Sequence, residues 1–316
     1  MVKLLSSCPA LETLELSCFQ GFRRLEITSP NLKRLILDGG GGFDSLEIVA
    51  PHLQHLEISG VRGYLKRRLV NVSSLVTASL TFSIICITVD DESYIGEEED
   101  DVEEDNCPDY HQAFRNLVVD YLEKLSHVTQ LKSGSWLAQV VFMLQLEGVP
   151  LPQLRCKCLT LEMPITKNTL YGVASLLRTS PLLETLNINL GVGFADYYHC
   201  EHERSYFAKG DNINLRSWIS NIVFPNLKTV KIDGCRDECS MEWSKAGDKL
   251  FVLSKFLLKN AVALKKFVIV TKRKICGLCY ESCVPQYLSR LVKNLLDSQR
   301  SSMTFVIIYQ DSAQDD

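Results

Sequence analysis

A short hydrophobic pattern recurs along the chain, with a proline first and leucines at fixed offsets after it. The pattern reads CPALETLEL from residue 8, SPNLKRLIL from 29 and APHLQHLEI from 50, and looser copies begin at 151, 180 and 224. Pro9, Pro30 and Pro51 are 21 residues apart in each step, which makes the pattern an internal repeat. A second copy without the proline lies halfway along each step, as FRRLEI and FDSLEI. Each repeat is therefore predicted to hold two short strands.

The two-residue alternation of a strand assigns the leucines of the repeat to one face. Leu35 and Leu37 are predicted to point into the core, whereas Arg34 and Ile36 point outward. One such strand cannot close a core, but parallel strands stacked about 4.8 Å apart join their leucines into one ladder. A period of 21 residues is typical of leucine-rich repeats. We therefore predict an α/β fold, a leucine-rich-repeat solenoid with a parallel strand ladder that is β-rich at its N-terminal end.

Helical periodicity appears further along the chain. Five segments carry apolar residues at the spacing of one helix face, and we expect these faces to pack in the core. The segments are Phe114, Leu117, Val118, Tyr121 and Leu125; Leu137, Val140, Val141 and Leu144; Leu170, Val173, Ala174 and Leu177; Leu250, Leu253 and Leu257; and Leu288, Leu291, Val292 and Leu295. Strands are predicted at 183–188, up to Cys235, and at 303–309, and the segment 247–270 is predicted to be a helix from Gly247 followed by a strand. The later repeats are thus predicted to alternate helix and strand.

The domain organisation follows from these patterns. Residues 1–89 are predicted to form the N-terminal part of the leucine-rich repeats, 111–223 their C-terminal part, 224–310 a cap over the last open layer, and 311–316 a tail. The intervening segment, 90–110, is predicted to be an acidic disordered loop, because residues 90 to 109 carry twelve acidic side chains and no basic one. A docking segment, or one that folds back on basic surface, is the alternative. Residues 191 to 215 are predicted to form a long loop.

Composition and charge narrow the class of protein. The chain has 316 residues, 46% of them hydrophobic, which is enough for a substantial core. It has neither a long uncharged apolar run nor a signal-peptide pattern, so we expect a soluble protein without a membrane partner, in the cytoplasm and/or nucleus. The twelve cysteines are then expected to be reduced thiols and mainly small core residues.

Candidate catalytic and metal chemistry is weak. Three cysteines in CGLCYESC (276 to 283), with CRDEC (235 to 239) upstream, offer soft ligands, but the second pair is not matched, so structural zinc stays an alternative to reduced thiols. HCEHE at 199 to 203 lies in a predicted loop and lacks the helical spacing of a zinc protease. The glycines at 39 to 42 are predicted to form a turn. No catalytic residue, cofactor or metal site is predicted, so the chain is interpreted as not an enzyme.

Nucleic acid is also not an expected partner. The basic clusters KRR (66 to 68) and KRK (272 to 274) are short. They lack the interleaved aromatic side chains on which bases stack. These clusters are therefore interpreted as solvated surface.

Several longer stretches carry a resemblance to a known family. CPALETLELSC, the alternation of FRRLEI with SPNLKRLIL, YLEKLSHVTQL, TLYGVASLLRTSPLLETLNI and the ending FPNLKTVKIDGC…LSKFLLKNAVALKKFVIV resemble plant F-box proteins with leucine-rich repeats and an FBD-type C-terminal domain. The resemblance runs from about residue 5 to 309, and it implies that 224–310 is an FBD-like cap. In that family the repeats are thought to select a target protein, while an N-terminal F-box docks a Skp-type adaptor of a cullin-type ubiquitin ligase.

No F-box-like segment is recognised in this sequence, which resembles the middle of the repeat region at its start. A Skp-type adaptor is therefore an expected partner only if an F-box is supplied elsewhere. Three hypotheses remain: a noncatalytic target-recognition module, a leucine-rich-repeat scaffold unconnected to ubiquitination, and a metal-dependent enzyme. The first is our prediction, with an unidentified protein as the target.

The predicted partner-binding residues are those that point outward from the ladder strands. Successive strands bring such residues together on one broad surface. They are Arg34, Ile36, His55, Glu57, Thr185, Asn187, Thr229 and Lys231, with Thr13 and Glu15 at corresponding positions. Their mixed charges predict a target without a strong charge of its own.

Overall fold

The computed structural model describes residues 8–19, 23–39, 46–60, 67–82, 107–164, 167–190, 223–235, 240–273, 291, 293–295 and 304–311. Contacts divide the chain into two compact units. The first comprises Met1–Val128, Met143–Pro152 and Phe194–Ile213, and the second comprises Thr129–Phe142, Gln153–Gly193 and Asn214–Asp316. Each unit contains a ladder of parallel strands, so the α/β class and the parallel pairing are confirmed.

Two parallel sheets form the first unit, and its chain alternates between them. The ladder consists of β1 (Thr13–Ser17), β3 (Arg34–Asp38), β5 (His55–Ser59) and β7 (Thr77–Leu80), whereas β2 (Arg24–Glu26), β4 (Leu46–Val49) and β6 (Arg67–Asn71) form a second sheet. Each 21-residue coil, the segment from one ladder strand to the next, thus contributes one strand to each sheet. The sequence pattern predicts both strands of a coil but does not separate them into two sheets.

Inward-pointing leucines build the core of the first unit, as the alternation predicts. Leu35 and Leu37 of β3 are fully buried, and so is Ile58 of β5. Leu14 and Leu16 hold the same positions in β1 but are only half-buried, since the described residues place no strand beyond β1. The strand stack is therefore what buries each leucine pair.

One backbone carbonyl joins each coil to the next. Lys33 N and Arg34 N both donate to Glu12 O, at 2.8 and 3.0 Å. The arrangement recurs with the carbonyls of Lys33 and Gln54 in the first unit, and with those of Thr129, Lys157, Glu184 and Lys228 in the second. Because the acceptor always precedes a strand, this shared carbonyl sets the same strand register at every step.

A left-handed backbone position ends three successive ladder strands. Cys18, Gly39 and Gly60 have φ angles of 49°, 66° and 103° and follow one another at the 21-residue period. Cys18 N donates to Asp38 O at 3.1 Å, and Gly39 N donates to Ser59 O at 3.2 Å. Gly39 therefore forms part of a turn, whereas Gly40 to Gly42 lie outside the described residues.

A side-chain amide adds a second link between coils. The Nδ2 group of Asn31 donates to Pro9 O at 2.7 Å, and that of Asn226 donates to Pro181 O at 2.9 Å. Both asparagines directly follow the proline of the repeat. These two coils are thus hydrogen-bonded to the preceding coil at two places, through the asparagine after the proline and through the shared carbonyl at the start of the strand.

Replacing either asparagine with alanine should remove this link. We expect Asn31→Ala and Asn226→Ala each to lower the free energy of unfolding by about 1 kcal/mol, as measured by urea denaturation. His52 holds the same position in the third coil and is exposed. His52→Ala is therefore the matched control, with an expected change within about 0.5 kcal/mol. Equal losses in all three variants would contradict a role for the amide bond.

One helix of the first unit reaches into the segment predicted to be a loop. Helix α1 (Cys107–Lys124) packs against β6. It begins within the predicted 90–110 loop, so residues 107–110 are helical, while 90–106 lie outside the described residues. Phe114, Val118 and Tyr121 are buried. Burial of this apolar face stabilises the helix, although the helix begins in the segment predicted to be disordered from its acidic composition.

Helices and strands alternate in the second unit, as the later repeats predict. Its ladder contains β8 (Gln130–Gly134), β9 (Cys158–Glu162), β10 (Thr185–Asn189), β11 (Thr229–Cys235), β12 (Lys266–Arg273) and β13 (Thr304–Asp311). The helices are α2 (Ser135–Leu146), of which the residues up to Phe142 belong to this unit, α3 (Lys167–Thr179) and α4 (Ser240–Asn260). Helix α4 begins seven residues before the predicted helix, which starts at Gly247.

The ladder continues into the block predicted to be a cap. Strand β11, the first strand of that block, pairs in parallel with β10. Near the other end of the block, Leu291 and Leu295 are buried, while the side chains of Leu288 and Val292 are not among those described. The described strands of this block, β11 to β13, therefore extend the same sheet.

Two helices of the second unit approach each other closely. The rings of Phe142 on α2 and Tyr171 on α3 are stacked, with centroids 4.8 Å apart. Beside this pair, a Cβ atom on Gly172 would lie 2.8 Å from the Cα of Ala138 and would overlap its carbonyl oxygen. Only glycine permits this approach of the two backbones.

None of the helices in the described residues is both long and apolar enough to cross a membrane.

Candidate protein-interaction face

Four predicted partner-binding residues lie together on the ladder of the first unit. Arg34 is the register partner of His55, and Ile36 is that of Glu57. An ion pair runs diagonally across this face, from Nη2 of Arg34 to Oε2 of Glu57 at 3.2 Å. We call the outward side chains of β1, β3, β5 and β7 the first ladder face.

A third row on this face was missed by the sequence prediction. Asp38 lies beside Ser17 and Ser59 in the register, and the hydroxyl of Ser59 donates to Oδ1 of Asp38 at 2.9 Å. The same alternation that assigns Arg34 and Ile36 outward also assigns Asp38 outward. Applying the alternation two residues beyond Ile36 predicts this row.

The other four predicted residues lie together on the ladder of the second unit. Thr185 is the register partner of Thr229, and Asn187 is that of Lys231. Asn187 Nδ2 donates to Oγ1 of Thr160 at 3.2 Å. We call the outward side chains of β8 to β11 the second ladder face.

Two further ion pairs on the second ladder face were not predicted. Lys132 Nζ lies 2.8 Å from Oε1 of Glu162, and Lys231 Nζ lies 2.8 Å from Oδ2 of Asp233. Strands β8 and β9 follow imperfect copies of the repeat, which hides the outward positions of Lys132 and Glu162 in the sequence. The paired charges leave this face polar with little net charge.

The polar face ends at β12. Val268 and Val270 occupy the register positions of Lys231 and Asp233, yet they are only 5% and 2% exposed. A partner can therefore reach the outward side chains of β8 to β11 but not these two valines.

Among the cysteines whose side chains are described, only Cys156 is a core residue, since Cys158 is half-buried and Cys8 and Cys18 are exposed; all four are free thiols. The expectation of mainly buried cysteines is therefore wrong for this part of the chain.

Cys156 takes the buried position that Leu32 and Leu53 take in the first unit, two residues before a strand. Burial raises the pKa of its thiol to about 12, and the S–H group donates to the carbonyl of Cys158 at 2.9 Å. Burial also raises the pKa of Cys158. Both thiols are protonated at neutral pH, so this pair offers neither a nucleophile nor a thiolate ligand.

Metal chemistry finds no support in the described part of the chain. Within that part, no group of three or more His, Cys, Asp or Glu side chains could hold a metal ion. Of the cysteines in the zinc alternative, Cys235 ends β11, while Cys239, Cys276, Cys279 and Cys283 lie outside the described residues. The HCEHE segment at 199–203 lies outside them as well. Structural zinc thus stays an alternative to reduced thiols in those segments.

Comparison with known proteins gives several relatives of similar name. No protein-family model matches the chain. A putative F-box/LRR-repeat protein of Arabidopsis thaliana is 28% identical over 278 residues, which covers 85% of this chain and 53% of the relative. Another F-box/LRR-repeat protein of that plant is 30% identical over 167 residues, covering 52% of this chain and 34% of the relative. A third, also putative, is 26% identical over 195 residues, covering 60% and 39%. The chain spans about half the length of the first relative.

Proposed function

Because the chain is related to the plant F-box/LRR-repeat proteins along most of its length, we propose that it is the target-recognition region of such a protein. It recognises a protein target without catalysing a reaction. The observation that carries this proposal is the strand register: in each of the two ladders, four of the predicted side chains are neighbours on outward strand positions. A surface of this kind suits a folded protein better than a small molecule.

The chemistry of the two ladder faces supports recognition rather than catalysis. Their charged groups are paired with each other, as in Arg34 with Glu57 and Lys132 with Glu162. Paired charges of this type contribute to specificity and orientation more than to affinity. The two thiols at the strand β9 are protonated at neutral pH. What these faces offer a partner is hydrogen bonds and shape.

The ligase connection is part of the proposal and rests on the relatives. Their names combine an F-box with leucine-rich repeats. An F-box would bind a Skp-type adaptor and so connect the bound target to a cullin-type ubiquitin ligase. We propose that the ladders of this chain bind the target, whereas an F-box binds the adaptor. The expected location of the protein is the cytoplasm and/or nucleus. A leucine-rich-repeat scaffold unconnected to ubiquitination is the alternative.

Reversing one ion pair should test the first ladder face. In the double variant Arg34→Glu/Glu57→Arg the pair is kept and its polarity is inverted, so stability should change by less than about 1 kcal/mol. Target binding should fall at least about tenfold, as measured by quantitative proximity labelling in plant cells. The matched control is Arg24→Glu/Glu47→Arg, since Arg24 Nη1 and Glu47 Oε2 form an exposed pair at 3.0 Å in the second sheet.

The control variant should keep the labelled proteins that the first variant loses. If both variants retain every labelled protein, the first ladder face does not bind the target. If both lose the same proteins, the effect is not specific to that face.

Calorimetry with a plant Skp-type adaptor should test the ligase connection. We expect no binding by this chain alone, and micromolar or tighter binding once the F-box of a relative is fused to it. Tight binding by the chain alone would mean that the ladders themselves dock the adaptor. A fusion that binds the adaptor but never promotes ubiquitination of a labelled protein would favour the scaffold alternative.

A further inference from the structure

Basic side chains lie at the N-terminal ends of the strands in the second unit. Because each shared carbonyl stacks one coil on the next, Lys157, Glu184, Lys228 and Lys265 follow one another in a column, one strand spacing of about 4.8 Å apart. Arg155 precedes this column and Lys266 follows it in the chain. The basic rim consists of Arg155, Lys157, Lys228, Lys265 and Lys266, all of them exposed.

The column already binds one carboxylate, which belongs to the chain itself. Lys228 Nζ lies 2.7 Å from Oε2 of Glu184. The hydrogen bond and the charge of Lys228, together with the charge of Lys157, lower the pKa of the Glu184 carboxyl. The rim therefore favours a carboxylate that lies between two lysines of neighbouring coils.

The next step of the column has no such carboxylate. Lys228 and Lys265 are neighbours of like charge, and such neighbours repel each other. Within the described residues, no acidic side chain pairs with Arg155, Lys157, Lys265 or Lys266. The second unit as a whole carries 21 basic against 12 acidic side chains, or +9, whereas the first carries 13 against 26, or −13. The positive potential of the rim is thus not balanced within its own unit.

We propose that the basic rim binds an extended acidic segment of a partner protein, with a carboxylate between Lys228 and Lys265 as Glu184 stands between Lys157 and Lys228. This surface adjoins the second ladder face at Lys266, the register partner of Thr229, but its column precedes the strands, and the proposal goes beyond target recognition by the ladder faces. Lysine side chains are long and flexible, so successive acidic residues of an extended segment can each reach one.

One feature favours a protein over a nucleic acid as the partner. The rim is formed by lysine and arginine alone and contains no aromatic side chain on which a base could stack. An acidic polypeptide meets the same lysines and needs no such platform.

Fluorescence anisotropy with the full chain and a labelled ten-residue polyglutamate peptide tests the proposal. At low ionic strength the peptide should bind, and Lys228→Gln/Lys265→Gln should weaken it about tenfold, since each exposed charge contact contributes a few-fold. Glu184→Gln should strengthen binding about threefold, because it frees Lys228 and removes a negative charge near Lys157. Higher salt should weaken binding by every variant.

Lys255→Gln provides the matched control, since Lys255 is an exposed lysine of the same unit on α4. This variant removes one positive charge, whereas the rim variant removes two, and it should leave binding within about twofold, below the roughly threefold loss per charge expected at the rim. Thermal melts should show that all variants are folded, because Lys228, Lys255 and Lys265 are exposed and Glu184 is only half-buried.

Three outcomes would overturn the proposal. The first is no binding at low ionic strength. The second is a loss of binding that is equal for Lys255→Gln and for the rim variant, which would mark a response to net charge alone. The third is tighter binding of a single-stranded RNA of the same charge that is abolished by the rim variant, which would assign the rim to nucleic acid.

Discussion

Gly172→Ala should lower the free energy of unfolding by more than about 3 kcal/mol. The new methyl group would overlap the carbonyl oxygen of Ala138 and lie 2.8 Å from its Cα. Both helices are buried at this point, and the stacked rings of Phe142 and Tyr171 are adjacent. The helices would have to separate, and a close-packed core accommodates such a shift poorly. Urea denaturation followed by circular dichroism measures the loss.

The sign of this effect is itself diagnostic. In a helix free of the contact, alanine for glycine would stabilise by about 1 kcal/mol through helix propensity. Gly148→Ala is a useful control, because Gly148 has φ +74° and no atom within 4 Å of its added Cβ. Backbone strain alone should cost about 1–2 kcal/mol there. A Gly172→Ala protein as stable as the parent would show that α2 and α3 do not approach as described.

Gly60→Ala should be the second most damaging change, with a loss of about 3 kcal/mol or more. The substitution combines two costs at one position. The φ angle of +103° is unfavourable for any residue with a Cβ atom, and the added Cβ would lie 2.7 Å from Gly39 Cα on the preceding coil. Backbone in the middle of a strand stack cannot move aside without breaking the hydrogen bonds on both of its sides.

Gly39→Ala separates these two costs. Gly39 has φ +66°, but the nearest atom to its added Cβ is Cys18 N at 3.8 Å. This variant should lose only the strain of a left-handed alanine, about 1–2 kcal/mol. Amide hydrogen exchange at Gly39 N, which donates to Ser59 O, reports on this junction directly. Equal losses for the two glycines would mean that crowding between the coils contributes nothing.

Regular repetition made much of the fold predictable from the sequence. The 21-residue period and the two-residue alternation together fix which side of a strand faces the core, so Leu35 and Leu37 were placed correctly. The same alternation, applied to matching copies of the repeat, placed Arg34 beside His55 and Thr185 beside Thr229. Only the first pair keeps the 21-residue period, since Thr185 and Thr229 are 44 residues apart.

Features that depend on distances between backbones were not predictable. A glycine within a helix, such as Gly172, reads as a weak helix former until its neighbour Ala138 is known. The basic rim is dispersed over more than 100 residues of sequence, and only the shared carbonyl brings Lys157 and Lys265 into one column. Residues 107–110 were assigned to the acidic loop because composition there outweighed the apolar face that continues from Phe114.

The candidate faces were predictable in part for the same reason. Where the repeat is clean, as around Lys231, outward residues can be read directly. Where it is imperfect, as before β9, Cys156 replaces the usual leucine and the outward Lys132 and Glu162 are hidden. Their ion pair appears only once the strands are stacked.

The shared carbonyl also bears on how such a chain can change over generations. Glu12, Lys33 and Gln54 accept the same two hydrogen bonds through main-chain atoms, so the link does not depend on side-chain identity. Excising or duplicating a whole 21-residue coil would leave every donor facing an equivalent acceptor, whereas losing ten residues would not. Descendants could therefore differ in the number of coils and diverge widely in sequence while keeping one pattern of strand pairing, with their outward residues free to acquire new partners.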